Sequence, residues 1–253
     1  MIVDSEALPV KLKSKIKDQR SQIKNMRTLI YIPILHTSAD LGSLSKEVTQ
    51  RGVAAVGEEA WAQHRETVAG FWRSIWEYCD GLDVTGVKIY QDGMVADGEV
   101  ARRIVEDTAR AGSLNYQLVQ RLLERGASLI KTEDFGLVKQ EYDGLLALTR
   151  AKSMRSKLIA LARHKFAKAS LLAKRDAFIA ARINETLQSG ETGILFIGAL
   201  HEVRVATDIR LEGIKDRQKV RQYQKLLPFH SKHALEFEAL AKHLTAQVVH
   251  PAS

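Results

Sequence analysis

Four short apolar runs, each ending abruptly at polar residues, interrupt a chain otherwise patterned for helix. Residues 29–35 (LIYIPIL) are rich in β-branched residues and stop at His36. "DVTGVKIYQDGM" stops at the Gln91-Asp92-Gly93 turn, "ASLIKTED" at Thr132-Glu133-Asp134, and "GILFIGAL" at His201. Short apolar runs bounded by turn residues predict strands, and "DIRLEGI" predicts a fifth. Pro33 inside the first run predicts a bend or a sheet edge, because proline donates no ladder hydrogen bond.

Between the strands the apolar period changes to that of a helix. Leu44, Val48, Val53, Val56, Ala60, Trp61, Val68, Phe71, Trp72, Ile75 and Trp76 recur at helical spacing, with Gly52, Gly57 and Gly70 as candidate breaks and the tryptophans as packing residues. Asp97 and Glu99 open a further helical region. From about Gly136 to Gln188 no proline intervenes, and "QSGETG" ends the helical stretch. "SKHALEFEALAKHL" predicts a final helix with Ser231 as its N-cap. Strands separated by long helices cannot be hairpins, so they predict a parallel arrangement. The expectation is an α/β fold: a small, mainly parallel sheet covered by abundant long helices, in a single domain spanning 29–253 after a basic arm at 1–28.

Composition narrows the function classes. Hydrophobic residues at 45% and charged residues at 27% are those of an ordinary globular domain. No apolar run approaches the ~20 residues that span a bilayer, so no membrane partner is expected. The first residues show no signal-peptide pattern, and Cys79 is the single cysteine, excluding an intrachain disulfide. Together these predict a cytoplasmic protein, with Cys79 buried and inert among aromatic neighbours. The net charge of +8 is uneven: seven basic residues and one acid lie between Lys11 and Arg27, and nine basic residues and no acid between Arg150 and Arg175. Segments 11–27 and 150–175 therefore support an alternative to an enzyme, a nucleic-acid-binding protein or a homo-oligomer built through its helices. Lys157, Arg163, Lys165 and Lys168 are spread around their helix rather than aligned, so any nucleic-acid binding should be weak and lost at physiological salt.

The chemistry-bearing residues gather where a parallel sheet makes its crevice, at the carboxyl ends of the strands. His36 with Asp40, Asp92, Glu133 and His201 all fall there. Two imidazoles and a carboxylate suit a divalent transition metal such as Mn, Zn or Co, which would acidify water and polarise a carbonyl for hydrolysis of a small-molecule or peptide substrate. The segment Ile32-Pro33-Ile34-Leu35-His36 parallels Ile197-Gly198-Ala199-Leu200-His201 position by position. The chain has no P-loop, no Gly-x-Ser-x-Gly and no His-Glu-x-x-His. His230, His233 and Glu236 have chelating spacing but read as a solvent-facing helix start.

The stretch "LLAKRDAFIAARINETLQSGETGILFIGALHEV" resembles the C-terminal core of the TraB/Tiki superfamily, which includes ChaN-like and erythromycin-esterase-like proteins. That group is marked by two Gly-x-x-His motifs, an acidic residue after the first and an arginine on the helix before the second. Gly198-Ala199-Leu200-His201 matches the second motif and Arg175 the arginine. "IPILHTSADLG" occupies the place of the first, with Pro33 where the family has glycine. The acidic position falls on Asp92 or Glu133. The resemblance covers this stretch, and the rest of the chain in element order only. It implies a metal-dependent peptide or ester hydrolase, although haem-binding and non-enzymatic members exist. His36, His201 and Asp92 would hold the metal or act as acid and base, with Asp40 and Glu133 as alternative carboxylates. Arg175 would orient a carboxylate or stabilise an oxyanion.

Overall fold

The computed structural model describes residues 26–37, 39–40, 45–150 and 154–248. Most of the basic arm, 1–25, lies outside them, as do the side chains of 147–168, which carry most of the second basic segment.

The strands are β1 (Arg27–Ile34), β2 (Lys88–Gln91), β3 (Ser128–Ile130), β4 (Thr192–Gly198) and β5 (Ile209–Gly213). The helices are α1 (Ser45–Val56), α2 (Glu58–Asp80), α3 (Gly98–Arg110), α4 (Leu114–Glu124), α5 (Phe135–Arg150), α6 (Met154–Thr186), α7 (Arg217–Leu226) and α8 (Ala234–Thr245), with a 3-10 turn at Leu227–Lys232. All five strands run parallel in the order β3-β2-β4-β1-β5. The expected α/β class with a helix-covered parallel sheet is therefore what the chain adopts.

Each strand feeds two layers, because successive side chains point to opposite faces. On one face Ile30, Ile32, Ile34, Ile194 and Phe196 pack with Phe71, Trp72 and Ile75 of α2, Leu118 and Leu122 of α4, and Phe237, Leu240 and Leu244 of α8. On the other, Leu29, Leu195 and Ile197 meet Ile179, Ile183 and Leu187 from the C-terminal part of α6 and just beyond it. Cys79 is fully buried, and burial pushes its thiol up to about 12, as expected of an inert packing residue. No helix among the described residues is long and apolar enough to cross a membrane.

Several local expectations need correction. Pro33 is at no sheet edge: β1 is interior, between β4 and β5, and Pro33 pairs in register with Ile197. It is tolerated because β5 ends at Gly213, opposite Tyr31. The Tyr31 carbonyl accepts from Ile214 on the β5 side, so alternation turns the position of Pro33's missing N–H toward the same side, past the end of that ladder. Of the three glycines, only Gly57 (φ 87°) separates α1 from α2. Gly52 and Gly70 lie inside helices and serve close packing: a Cβ at Gly52 would stand 2.3 Å from the Trp61 ring, and one at Gly70 2.7 Å from Thr245. Ser231 belongs to the 3-10 turn, and His233 occupies the N-cap of α8.

Candidate functional site

The carboxyl ends of β1, β2 and β4 and the residues following β3 meet over one helix, α6. The buried stripe of that helix, Ile179 and Ile183 followed by Leu187, has a four-residue period. Extending it one turn toward the N-terminus reaches Arg175 and Asp176. From Leu187, near the start of β4, twelve residues of helix retreat about 18 Å, close to the length of the strand they cover. The helix thereby delivers Arg175 and Asp176 to the strand ends.

Arg175 is 6% exposed and organises three carboxylates. Its Nε donates to Glu133 Oε2 at 3.0 Å, its Nη2 to Asp92 Oδ1 at 2.7 Å and to Glu133 Oε1, and its Nη1 to Glu141 of α5. Every edge of the guanidinium is committed to protein carboxylates. Of the two roles the resemblance implies for Arg175, this geometry supports orienting a carboxylate. Glu133 is wholly buried; desolvation, with the charge of Asp92, raises its pKa to about 7 against the pull of Arg175. Asp92 goes the other way. Burial opposes its charge, but His201, Arg175, His36 and the Gly198 N–H hold it down to about 2.

The second oxygen of Asp92 faces the histidines. Asp92 Oδ2 accepts from Gly198 N at 2.9 Å and lies 3.6 Å from His201 Nε2. On the far side of the ring, His201 Nδ1 donates to Asp176 Oδ1 at 2.6 Å, and Asp176 Oδ2 accepts from Glu202 N at 2.9 Å. Since an ionised carboxylate can only accept, Asp176 puts the proton on Nδ1 and leaves Nε2 facing Asp92. Burial of His201 works against its protonation, but Asp176 and Asp92 outweigh it and the pKa is raised.

His36 repeats this arrangement at the mouth, with its side chain 44% exposed. Its Nδ1 is 3.5 Å from Asp40 Oδ2. Asp40 is in turn held by Thr37 N at 2.7 Å, Thr37 Oγ1 at 2.9 Å and Ser113 Oγ. Gly198 makes the convergence sterically feasible. A Cβ there would stand 3.2 Å from Asp92 Oδ2, 3.5 Å from the His201 ring and 3.8 Å from His36 Nε2.

The five sequence-predicted positions at the strand ends thus come together with Arg175, in different roles. Asp92, Glu133 and His201 present ligand atoms within 4.8 Å of one another. His36 stands outside that trio, and Asp40 reaches His36, Thr37 and Ser113. Glu133 has both oxygens on Arg175, so Asp92 Oδ2 and His201 Nε2 are the atoms best placed to take a cation. Sequence reasoning missed Asp176 and Glu141. Asp176 was visible in principle, as an acid on the buried stripe of α6 next to Arg175. His233 and Glu236, 3.8 Å apart, are exposed. No family model, curated protein or solved structure matches the chain.

Proposed function

We propose that the chain is a metal-dependent hydrolase of peptide or ester bonds, with a centre of the TraB/Tiki kind built on His201, Asp92 and His36. The observation that carries this reading is the 3.6 Å approach of His201 Nε2 to Asp92 Oδ2 in a buried setting. With Nδ1 protonated toward Asp176, both facing atoms carry lone pairs, and only a positive charge makes their approach favourable. A proton supplies it in the ion-paired form, and a divalent cation would supply it in the loaded one. Imidazole with carboxylate is a natural donor set for Mn, Zn or Co.

When bound, such a cation would polarise a scissile carbonyl and lower the pKa of a water molecule. The chain's own residues do the rest. Asp176 fixes the tautomer and tilt of His201, as an outer carboxylate commonly does for a metal-ligating histidine. Arg175 anchors Asp92 through Oδ1, so that only Oδ2 is presented. His36 combines exposure with an Nδ1 partner in Asp40 and an Nε2 that has no hydrogen bond among the described residues, which suits it to carry a proton to a leaving group. The alternative of a nucleic-acid-binding or helical interaction protein rests on segment 11–27, which lies almost wholly outside the described residues, and on segment 150–175, most of whose basic side chains do.

The direct test is turnover of a panel of peptides and nitrophenyl esters by protein stripped with chelator and reloaded with Mn, Zn or Co. Activity that returns with metal in the wild type and not in Asp92→Asn supports the reading. Metal-independent turnover, or none on any substrate, contradicts it.

A further inference from the structure

A concave site adjoins the dyad of His201 and Asp92 on the α6 side of the sheet. A cavity of about 520 Å³ opens at the carboxyl ends of β1 and β5, lined among others by Tyr31, Leu211, Lys215, Arg217 and the loop residues Glu202 and Arg204. A smaller one of about 390 Å³ shares Glu202 and Arg204 with it and reaches Asp176. Two cations, Arg204 and Arg217, and one carboxylate therefore face the larger cavity. The carboxylate of Glu202 is 3.9 Å from Arg221, whereas Arg204 and Arg217 have no carboxylate partner among the described residues. Lys215 lines the cavity too, but its Nζ is turned away to the carbonyls of Leu244 and Ala246 at 2.9 and 2.6 Å and lies over the Phe71 ring.

Tyr31 adds a second, independent observation. Its hydroxyl is buried, and although the Arg217 guanidinium stands beside the oxygen, its proton has no acceptor among the described residues. Buried polar groups are normally satisfied by protein, water or ligand, so a hydroxyl proton with no acceptor on the wall of a cationic cavity asks for one. The Arg217 guanidinium lies close enough to pull against the burial that raises the Tyr31 pKa to about 12. Beside these donors, Leu211 is an apolar side chain left 55% exposed.

We propose that this cavity binds an oxyanion, a carboxylate or phosphate group carried on an apolar body. The anion accepts from Tyr31 and Arg217, Arg204 guards the entrance, and the apolar body lies on Leu211. Arg217 Nη1 also donates to the backbone carbonyl of His201 at 2.6 Å, so one residue links the cavity to the dyad. The cavity is therefore the recognition end for a substrate bearing an anionic group. That last step rests on the hydrolase reading, while the binding itself does not.

Calorimetric titration of the full chain with hexyl phosphate, hexanoate and inorganic phosphate tests it, using wild type, Tyr31→Phe, Arg204→Ala and His201→Ala. Saturable binding of hexyl phosphate or hexanoate is expected, tighter than inorganic phosphate, and the tighter of the two names the head group. Tyr31→Phe should weaken it about tenfold or more, the usual effect of losing a hydrogen bond to a charged group. The same variant should melt within a few degrees of wild type, because the deleted hydroxyl has no acceptor to lose and its neighbour Arg217 keeps the His201 carbonyl. His201→Ala should bind within about twofold of wild type, since no bond to the anion comes from that ring. No saturable binding, equal binding by Tyr31→Phe and Arg204→Ala, or loss of binding in His201→Ala would overturn the proposal. Binding without any hydrolytic turnover would retire the hydrolase reading and leave the anion site standing.

Discussion

Asp176 Oδ1 and His201 Nδ1 lie 2.6 Å apart, joining α6 to the loop after β4 across 25 residues of sequence. This bond decides which nitrogen of His201 is offered to Asp92, and so whether the pair can hold a cation. Replacing Asp176 by Asn keeps the shape and removes the charge. Metal affinity should fall about 10- to 100-fold, the usual cost of losing an outer-sphere carboxylate. The melting temperature should stay within a few degrees. Calorimetric titration with Mn or Zn beside a thermal melt checks both.

Arg175 should matter to folding as much as to the site. Arg175→Met leaves Glu133 and Asp92 buried without their cation, a change that typically costs about 3–5 kcal/mol. Adding Glu133→Gln removes one of the stranded charges, so the double variant should recover part of that loss. A urea-denaturation cycle over the four proteins should give a coupling of about 1–3 kcal/mol. Strict additivity would show that the two side chains do not share one network.

Gly198→Ala separates chemistry from stability in the opposite sense. The added methyl would meet Asp92 Oδ2 at 3.2 Å and approach the rings of His201 and His36. Small shifts of these side chains should make the cost in stability about 1–2 kcal/mol, while metal uptake and turnover fall steeply. Metal content of the purified variant, measured by mass spectrometry, reads this directly.

Stability should also depend on pH, through a group away from the site. His64 is buried, its Nδ1 3.1 Å from the Tyr223 hydroxyl, and burial lowers its pKa from 6.5 to about 4. The unfolded chain therefore takes up a proton first as pH falls. The contribution of His64 is complete above pH 6.5 and is lost as pH drops through 6.5 toward 4, amounting to about 3 kcal/mol or less. His64→Gln should flatten this part of the profile. Urea midpoints of the two proteins at pH 7, 5.5 and 4.5 should converge as the pH is lowered.

Much of the fold was legible because parallel strands are covered on both faces and appear as unbroken apolar runs, which residues 29–35 and 193–198 are. The helix boundaries were less so. Gly52 and Gly70 look like breaks in a sequence, yet each is set by a distant partner, Trp61 on the next helix or Thr245 on α8. At the site, the strand-end rule placed His36, Asp92, Glu133 and His201, because the alternation of apolar run and polar stop is local. What it could not apportion were the roles. Asp40 is held beside His36 by Ser113 and Thr37, and Glu133 is held by Arg175. Such divisions of labour depend on contacts between residues far apart in the chain. Asp176 escaped because its partner, His201, lies on another element.

The central claim is that His201 Nε2 and Asp92 Oδ2 embrace a divalent cation. Crystals grown with Mn or Zn, with diffraction collected across the metal's absorption edge, test it most directly. The expected result is a single anomalous peak in contact with both atoms, absent in Asp92→Asn. An empty site with both atoms still 3.6 Å apart at saturating metal, or a peak only at exposed His233 and Glu236, would contradict the account.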